Sequence, residues 1–428
     1  MTAPGDHVLA VLARLPRRAR ILLAADGLNA FGAGLTLPFL LIYLSQVRGV
    51  DIRVAALALS VSAFFSFFAG LAWGSLLDRY RHRVVMPVVM LLAGVATALY
   101  AVAGSASTAI AVAALSGIAM GGVGPVIRTM FATAVPGADR TQFFGLQFGL
   151  FNAAIGLGIL AGGLLIDGSL GRYQLLYVVD GLTFVLMAVI LLVVPGRERE
   201  DPGGDGEPAD GPKPSYRSVL RNPVVVLIVG AMTLAATFYY GQFQSVLPGY
   251  LTLAGAVSPR GIAAAFVVNV VVVVLAQFVV MPRLRHVRRT TWLTASAVLW
   301  GVSWLLLLWA GRSTGSTALG LLIVSMVPFA VAEVMVTPIL AALLNDVVDD
   351  GVRGRANALF TLSTTAGSIL GPAIAAALLP VGDGLPLVAG LAAGCLLILL
   401  PAAALRGRLG EDVDKPQEAE PEPATAGV

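Results

Sequence analysis

Long apolar runs, separated by short polar segments, repeat along the whole chain. About 20 apolar residues cross a bilayer core of about 30 Å as a helix. Runs of this kind predict membrane-spanning helices at 20–44, 54–77, 84–104, 108–133, 142–166, 174–195, 223–252, 261–282, 291–310, 316–343, 357–379 and 385–405. The first run is too long for a signal-peptide core and lacks a small-residue cleavage site, so we expect it to be retained.

An internal repeat divides the twelve predicted helices into two sets of six. Residues 120–166, shifted by 213 positions without a gap, overlay 333–379. The overlay matches a proline, a loop arginine and a glycine, namely Pro125 with Pro338, Arg140 with Arg353, and Gly158 with Gly371. Matches in helices four–five and ten–eleven indicate parallel halves related by an axis along the membrane normal. The predicted fold is an all-α polytopic membrane protein with two pseudo-symmetric six-helix bundles.

Polar segments mark the predicted domain boundaries. Residues 1–196 form the N-terminal bundle and 223–405 the C-terminal bundle. The segment 197–222 between them is rich in Gly, Pro and acidic residues, which is typical of a flexible linker. The acidic, Pro-containing segment 406–428 is expected to be a disordered tail.

Composition and charge place most of the chain in lipid. Hydrophobic residues make up 57% of the chain and charged residues 12%, against roughly 25% charged residues in a soluble domain. With the N-terminus inside the cell, 22 of the 28 basic residues fall in inner segments and five in outer segments. This strong positive-inside bias predicts a multi-pass protein of the cell membrane with both termini cytoplasmic. The basic excess is local to the loops, so no nucleic-acid partner is expected.

A charged motif follows the second predicted helix. It reads Gly74-Ser-Leu-Leu-Asp78-Arg79-Tyr-Arg81-His82-Arg83 and resembles the G-x-x-x-D-R-x-G-R-R/K loop of the major facilitator superfamily. Arg81 stands in place of the motif's second glycine. The twelve predicted helices, the parallel halves and the long middle loop fit the same family, so the resemblance covers nearly the whole chain.

The resemblance implies that this loop is a conformational latch, which holds the two halves together in the outward-facing state. Gly74 would let two helices approach closely. Asp78 can pair with Arg79, with Arg140 or with the N-terminal dipole of helix eleven, and Arg83 completes the motif. The alternative is a charged loop that is merely solvated.

Small residues in helix five form a second motif. Gly158-Ile-Leu-Ala-Gly162-Gly163 is similar to the G-P-x-x-G-G motif of antiporters in this superfamily, with Ile159 in place of the proline. The second half retains the proline in Gly371-Pro372 but has alanines in place of the later glycines. Small residues at these spacings mainly permit close helix packing, so we favour that role over a signature of antiport.

Ionisable residues inside predicted helices point to a cavity or a partner, because a charge at mid-bilayer costs roughly 2.5–3.5 kcal/mol on insertion scales. They are Asp26, Arg128, Asp180 and Glu333 in helices one, four, six and ten. The resemblance implies that helices one, four, seven and ten line a central cavity. We predict that Asp26 and Arg128 form an ion pair or exchange partners, and that Asp180 packs near the outer surface.

Any proton coupling must use carboxylates, because the three histidines, His7, His82 and His286, all lie outside the predicted spans. Asp26 and Glu333 are the candidates. The alternatives are structural roles, as a salt bridge to Arg128 or as a carboxylate near Pro338.

A substrate cavity is predicted from shared helical faces. Asp26, Asn29 and Thr36 lie on one face of helix one, and Tyr239 and Gln242 share a face of helix seven. Thr337 adds a hydroxyl group on helix ten. Aromatic and amide groups around an apolar cavity suit lipophilic or weakly polar substrates, although Tyr239 and Gln242 could equally form part of an interfacial belt.

Signatures of enzymes and of ATP-driven transport are missing from the sequence. The match to G-x-S-x-G at Gly311–Gly315 lies in a short outer loop and not in a strand-to-helix turn. There is no Walker loop and no cluster of metal ligands, and the single Cys395 provides no disulfide. We therefore predict no enzymatic activity and no cofactor.

These patterns predict a secondary active transporter that works by alternating access in the lipid bilayer. A proton gradient would drive it as a monomer to export small-molecule substrates that are lipophilic or drug-like. An uptake symporter for a sugar or an organic anion is the alternative. A membrane-embedded enzyme or a lipid flippase is a further possibility from another class.

Overall fold

The computed structural model describes residues 15–134, 140–166, 168–194, 216–240, 245–280 and 287–415, and the regular elements in these ranges are helices. The main helices are α1 Arg17–Thr36, α2 Ile52–Arg79, α3 His82–Leu99, α4 Ala106–Ala134, α5 Arg140–Leu165, α6 Leu170–Val193, α7 Pro223–Ala235, α8 Pro259–Val280, α9 Arg289–Arg312, α10 Gly315–Asp346, α11 Asp350–Leu378 and α12 Leu385–Cys395. Short 3₁₀, α- and π-helical segments extend α1 to Val47 and α12 to Arg406.

Ten helical segments among the described residues are long and apolar enough to cross a membrane. Two further apolar helices, Gly149–Leu165 and Pro223–Tyr239, are shorter. The second of these covers the first part of the predicted span 223–252. Here α7 passes at Ala235 into a π-helical turn that covers Ala236–Tyr240, and a helix covers Val246–Leu253. Residues 241–244 lie outside the described part of the chain.

Short-range chemistry explains where several helices begin. The Asp51 side chain accepts a hydrogen bond from Arg53 N at 2.7 Å and caps α2. Asn222 caps α7 in the same way, accepting from Val224 N at 2.9 Å, with Pro223 at the first helical position. Both caps satisfy backbone N–H groups that have no partner within the helix.

Contacts inside each half of the chain join neighbouring helices and also helices that are distant in sequence. In the first half (residues 15–194), α2 packs on α4, α3 on α6, and α1 on both α5 and α6. In the second half (residues 216–415), α10 packs on α8 and α9, and α11 packs on α7. Helix α5 crosses α1 so closely that a Cβ atom on Gly158 would lie 2.1 Å from the Phe31 carbonyl oxygen.

The two halves meet near one end of the molecule. Helix α2 contacts α11, and α5 contacts α8. The Ser60 hydroxyl donates to Ile369 O at 2.8 Å, and Arg260 Nε donates to Ile166 O at 3.3 Å. These contacts lie toward the ends of the helices where α2 and α8 begin. We call this the opposite end, in contrast to the arginine-rich end where α1 begins and α2 stops.

The predicted latch lies at the arginine-rich end, and its glycine is not in a close helix contact in this conformation. A Cβ atom on Gly74 would meet no atom within 4 Å. Arg79 and Arg83 are exposed. The expected close packing at Gly74 belongs to a state in which the halves meet at this end. It stays a prediction, because in this conformation the halves touch at the other end. The side chains of Asp78 and Arg140 lie outside what the structure describes.

The beginning of the C-terminal tail is folded. A helical turn at Glu411–Asp414 follows α12, and Asp414 is 2% exposed. Its carboxylate accepts from Thr290 N at 2.9 Å and from Thr290 Oγ1 at 2.8 Å. Arg288 pairs with Glu411. The predicted disorder from 406 onward is therefore wrong for 406–415, because these contacts hold the tail on the start of α9. Residues 416–428 lie outside the described part.

The described part of the predicted linker, residues 216–222, contains a short helix. A short helix spans Tyr216–Leu220, directly before the Asn222 cap. Residues 197–215 lie outside the described part of the chain.

Candidate cavity and buried carboxylates

A cavity of about 370 Å³ lies between five helices of the first half and α11 of the second half. Its walls are mainly apolar, with hydroxyl groups from serine, threonine and tyrosine. The lining residues are Ala33, Thr36, Leu37, Leu40, Leu59, Ser62, Ala63, Ser66, Thr97, Tyr100, Ser116, Met120, Tyr177, Asp180, Phe184, Ser368 and Pro372. Asp180 is the one acidic residue in this wall, and no Arg, Lys or His accompanies it among the described lining residues.

Asp180 belongs to a polar cluster between α1 and α6. The Thr36 hydroxyl donates to Asp180 Oδ2 at 2.6 Å. Thr183 Oγ1 lies 2.7 Å from the Asp180 carbonyl oxygen and 3.1 Å from Asn29 Oδ1. The Tyr177 hydroxyl reaches Thr36 O at 3.4 Å. Asn29 and Thr36, which the sequence placed on one face of helix one, therefore both take part in this cluster.

The other oxygen of the carboxylate, Asp180 Oδ1, is buried and has no hydrogen-bond partner among the described residues. It lies beside the bare Cα of Gly32, where a Cβ atom would be 2.8 Å away. Asp180 is the eleventh residue of the 24-residue helix α6, near its middle. The expectation that it packs near the outer surface is wrong. The sequence offered one clue to its position, an acidic residue within an apolar run.

Asp26 is buried at the interface of α1 and α5. It is 1% exposed and accepts a hydrogen bond from Gln147 Nε2 at 2.7 Å through Oδ2. Its Oδ1 has no partner among the described residues. The predicted ion pair with Arg128 is not formed. The Arg128 side chain is exposed and turns back along α4, with Nε 3.4 Å from Gly124 O.

The difference has a physical reason. An exposed guanidinium keeps its solvation, whereas a buried carboxylate needs a donor at hand. Gln147 supplies that donor without bringing a second charge into the helix interface. Sequence reasoning missed Gln147, since its position on α5 relative to Asp26 depends on how the two helices are rotated.

Glu333 lies near the middle of α10, in the second half of the chain. Its carboxyl group lies near the side chains of Tyr239 and Asn269, which come from two other helical segments. Neither Glu333 Oε2 nor Asn269 Nδ2 has a hydrogen-bond partner among the described residues. Thr337, one helical turn further along α10, is partly buried.

Tyr239 lies in an aromatic cluster inside the second half. Its ring stacks on Trp300 with centroids 4.6 Å apart, and it packs on Phe329 at 4.7 Å. It is 2% exposed. This burial excludes the interfacial belt as its position. The predicted neighbour Gln242 lies outside the described residues.

The two glycine-containing motifs lie at helix interfaces. A Cβ atom on Gly162 would lie 2.9 Å from Leu35 O on α1, and one on Gly163 would lie 2.3 Å from Ala263 Cβ on α8. Gly371 and Pro372 are buried in α11, and Pro372 lines the cavity. In the described part of the chain, no group of three His, Cys, Asp or Glu side chains could hold a metal ion.

Comparisons with known proteins agree on one family. The family model described as Major Facilitator Superfamily matches residues 22–279 and 245–427. The quinolone resistance protein NorA of Staphylococcus aureus is 23% identical over 376 residues, covering 86% of this chain and 92% of NorA. The multidrug resistance protein MdtG of Citrobacter koseri is 31% identical over 241 residues, covering 52% of this chain and 55% of MdtG.

Solved transporters share the fold at low sequence identity. A mutant of the nucleoside transporter NupG superimposes with a TM-score of 0.78 at 13% identity, covering 91% of this chain and all of NupG (100%). An auto-inhibited peptide transporter of the POT family gives a TM-score of 0.74 at 15% identity, covering 94% of this chain and 99% of that protein. Likeness at these identities speaks for the fold and not for the substrate.

Proposed function

The chain belongs to the major facilitator superfamily and is a membrane transporter rather than an enzyme, and from this premise we propose that it exports small lipophilic or drug-like molecules in exchange for protons. The observation that carries the proposal is the cavity of about 370 Å³ with mainly apolar walls and few polar groups. A site of this kind favours lipophilic ligands over sugars or organic anions, which need more polar partners. The names of the relatives, quinolone resistance and multidrug resistance proteins, support the same substrate class.

The proposed architecture has twelve membrane-spanning helices in two six-helix bundles, residues 1–196 and 223–405. The ten long helices and the two shorter apolar ones support that number. The arginine-rich end is placed in the cytoplasm by the positive-inside rule, together with both termini, the linker and the tail. The protein acts as a monomer in the cell membrane.

With this orientation, the structure is the inward-facing state. Contacts of α2 with α11 and of α5 with α8 close the outer end. Transport requires these contacts to open while the cytoplasmic end closes around the Gly74–Arg83 loop. The two closures alternate, so a substrate in the cavity reaches one side of the membrane at a time.

Protons drive the export, and no bound cofactor is needed. Asp26 and Glu333, one in each half of the chain, are the coupling residues of the proposal. Each has one buried carboxylate oxygen without a described partner. Such a group can take up a proton when water reaches it and release it in the other state. Arg128 forms no ion pair with Asp26 in this state, which leaves Asp26 free to exchange a proton.

The proposal is tested by transport into inside-out vesicles. A fluorescent lipophilic cation is added with and without a proton gradient, for wild type, Asp26→Asn and Glu333→Gln. Wild type should accumulate the dye only with the gradient, and each variant should lose most of that accumulation.

Asp383→Asn serves as the matched control. Asp383 is exposed at the opposite end with a φ of 54°, a conformation that Asn tolerates, so this variant should accumulate dye like wild type. Absence of gradient-dependent accumulation by wild type, with the protein present in the membrane, would contradict drug export and favour uptake of a metabolite.

A further inference from the structure

Two apolar grooves flank α3 on the exposed side of the first half. The groove between α2 and α3 has a volume of about 390 Å³, and the groove between α3 and α6 has a volume of about 380 Å³. Val84 and Val88 line both grooves, so they form a ridge between them. These two side chains are 60% and 48% exposed. In a protein that spans a membrane, the ridge and both grooves therefore face the acyl chains of lipids.

Each groove has an arginine at one end. Arg81 lines the α2–α3 groove and Arg83 lines the α3–α6 groove, whereas the other described lining residues are aliphatic or aromatic. Both arginines are exposed, and neither is ion-paired with another described residue. Arg81 stands where the loop motif of the family has a glycine, so this pair of charges is a feature of this chain rather than of the family.

The start of α3 lies at the same place and has no side-chain cap. Arg81 is the N-cap residue, and its side chain makes no capping hydrogen bond. The His82 ring contacts the end of α2 instead, with Nε2 3.1 Å from Leu77 O. The first backbone N–H groups of α3 therefore carry partial positive charge, and they add to the attraction of the two arginines for an anion.

The extent of the grooves fits a lipid better than a soluble anion. Trp73 lines the α2–α3 groove six residues before Arg79, the last residue of α2, which is about 9 Å along the helix axis. The grooves therefore run from the charged start of α3 into the apolar part of the membrane. A soluble anion such as phosphate gains nothing from apolar walls, whereas the acyl chains of a phospholipid fill them.

The two arginines also select among phospholipids. They attract an anionic headgroup, whereas they repel the positive group of a zwitterionic headgroup. Under the proposed orientation, the start of α3 lies at the cytoplasmic surface of the membrane. That surface carries anionic lipids, and each basic residue near it strengthens the binding by about fivefold.

We propose that α3 carries a binding site for one anionic phospholipid with two acyl chains, with the headgroup between Arg81 and Arg83 and one chain in each groove. Val84 and Val88 separate the two chains. The site goes beyond the export function and does not depend on which molecule is exported.

The fluorescence of Trp73 reports which lipid occupies the α2–α3 groove. Its ring is held there, because Nε1 donates to Ile118 O at 2.7 Å. Purified full-length protein is placed in phosphatidylcholine nanodiscs, in which a fixed fraction of the lipid is brominated phosphatidylglycerol or brominated phosphatidylcholine. Quenching of the Trp73 signal, taken as the difference between wild type and Trp73→Phe, gives the relative binding constant of the two lipids. Wild type should prefer phosphatidylglycerol by about 25-fold, from about fivefold for each arginine.

Substitutions in the loop separate the site from general attraction of anionic lipid. Arg81→Gln and Arg83→Gln should each lower the preference by about fivefold, and the double variant should abolish it. Arg79→Gln is the matched control, because Arg79 is exposed in the same loop but lines neither groove. It should lower the preference less than either groove variant. An equally large effect of Arg79→Gln would overturn the site.

Equal quenching of wild type by the two brominated lipids would overturn the proposal and show that the grooves hold ordinary bilayer lipid. That result would leave the proposed export untouched, because the assay involves no exported molecule.

A substitution in the α3–α6 groove tests whether one lipid occupies both grooves. Val189 lines this groove and is 47% exposed, so Val189→Phe fills part of it from the lipid side. Because the two chains belong to one molecule, this variant should lower the preference that Trp73 reports from the other groove. Val193→Phe is the control, since Val193 is 72% exposed on the same helix and lines neither groove. A preference unchanged by Val189→Phe would overturn the arrangement of one chain in each groove.

Discussion

Replacement of Gly163 tests whether the contact between α5 and α8 closes the opposite end, which we propose to be the outer end. A Cβ atom on Gly163 would lie 2.3 Å from Ala263 Cβ, whereas ordinary contacts are 3.4–4 Å, so Gly163→Ala forces the two helices apart by about 1 Å. Overpacking of this kind costs about 1–3 kcal/mol. Since the clash exists only while the outer end is closed, the cost falls on the inward-facing state and shifts the conformational equilibrium by about 5- to 150-fold.

A second substitution, Ala263→Gly, should reverse the effect of Gly163→Ala. With Ala263→Gly, the nearest remaining atoms to a Cβ atom on residue 163 are the Cα atom of residue 263 at 3.8 Å and Phe39 Cζ at 4.0 Å. Gly163→Ala combined with Ala263→Gly should therefore restore the closed contact. Gly149→Ala is the control on the same helix, because its Cβ atom would meet nothing within 4 Å.

Pulsed electron paramagnetic resonance measures the outcome. Spin labels are placed at the exposed Ser107 and Ser316, one in each half at the outer end, with Cys395 replaced by Ala. Gly163→Ala should move the distance distribution toward longer distances, and the double variant should return it. A distribution unchanged by Gly163→Ala, or a shift that Ala263→Gly does not reverse, would show that the contact between α5 and α8 does not close this end.

Three further substitutions have expected outcomes. Gly158→Ala brings a Cβ atom within 2.1 Å of a backbone carbonyl of α1 and should destabilise the protein by about 1–3 kcal/mol; thermal melting equal to that of Gly149→Ala would contradict this. Asp414→Ala removes the cap at the start of α9, a loss of about 1–2 kcal/mol, and should speed amide exchange in the first turn of that helix; unchanged exchange would show that the tail contact is weak. Tyr239→Phe keeps the aromatic stack and removes the hydroxyl group facing Glu333, so it should slow gradient-driven transport without lowering the melting temperature; equal transport would exclude a role for the hydroxyl.

The positions of the helices are largely predictable from the sequence, because a helix that crosses a lipid bilayer needs a long apolar run. The ten long apolar helices of the structure fall on predicted runs. The change from α-helix to π-helix after Ala235 was not predictable in this way. A π-helical turn can be formed by the same apolar residues as an α-helix. The hydropathy of Ala236–Tyr240 therefore does not distinguish the two conformations.

Partners of the buried polar groups were harder to predict. Whether Asp26 meets Arg128 or Gln147 depends on the rotation of α1 against α4 and α5, which the close glycine contacts set. The sequence identified Asn29 and Thr36 correctly as one face, but it did not indicate that Asp180 would approach that face from α6. Two apolar helices give few clues to their relative depth, and this is why Asp180 was placed near the surface.

Contacts of the tail were missed for a different reason. The acidic composition of 406–428 is typical of disorder. Asp414 nevertheless accepts a hydrogen bond from Thr290 N, which has no partner within its own helix, and Glu411 pairs with Arg288. Local composition does not predict such contacts between segments that are distant in sequence.

The most direct test of exchange of substrate for protons is to measure whether a gradient of substrate moves protons across the membrane. Purified protein is reconstituted in vesicles that contain a pH-sensitive dye, and a gradient of a lipophilic cation is applied without any imposed pH difference. Wild type should move protons opposite to the substrate, and Glu333→Gln should move none. Substrate movement by wild type without any proton movement would contradict this exchange.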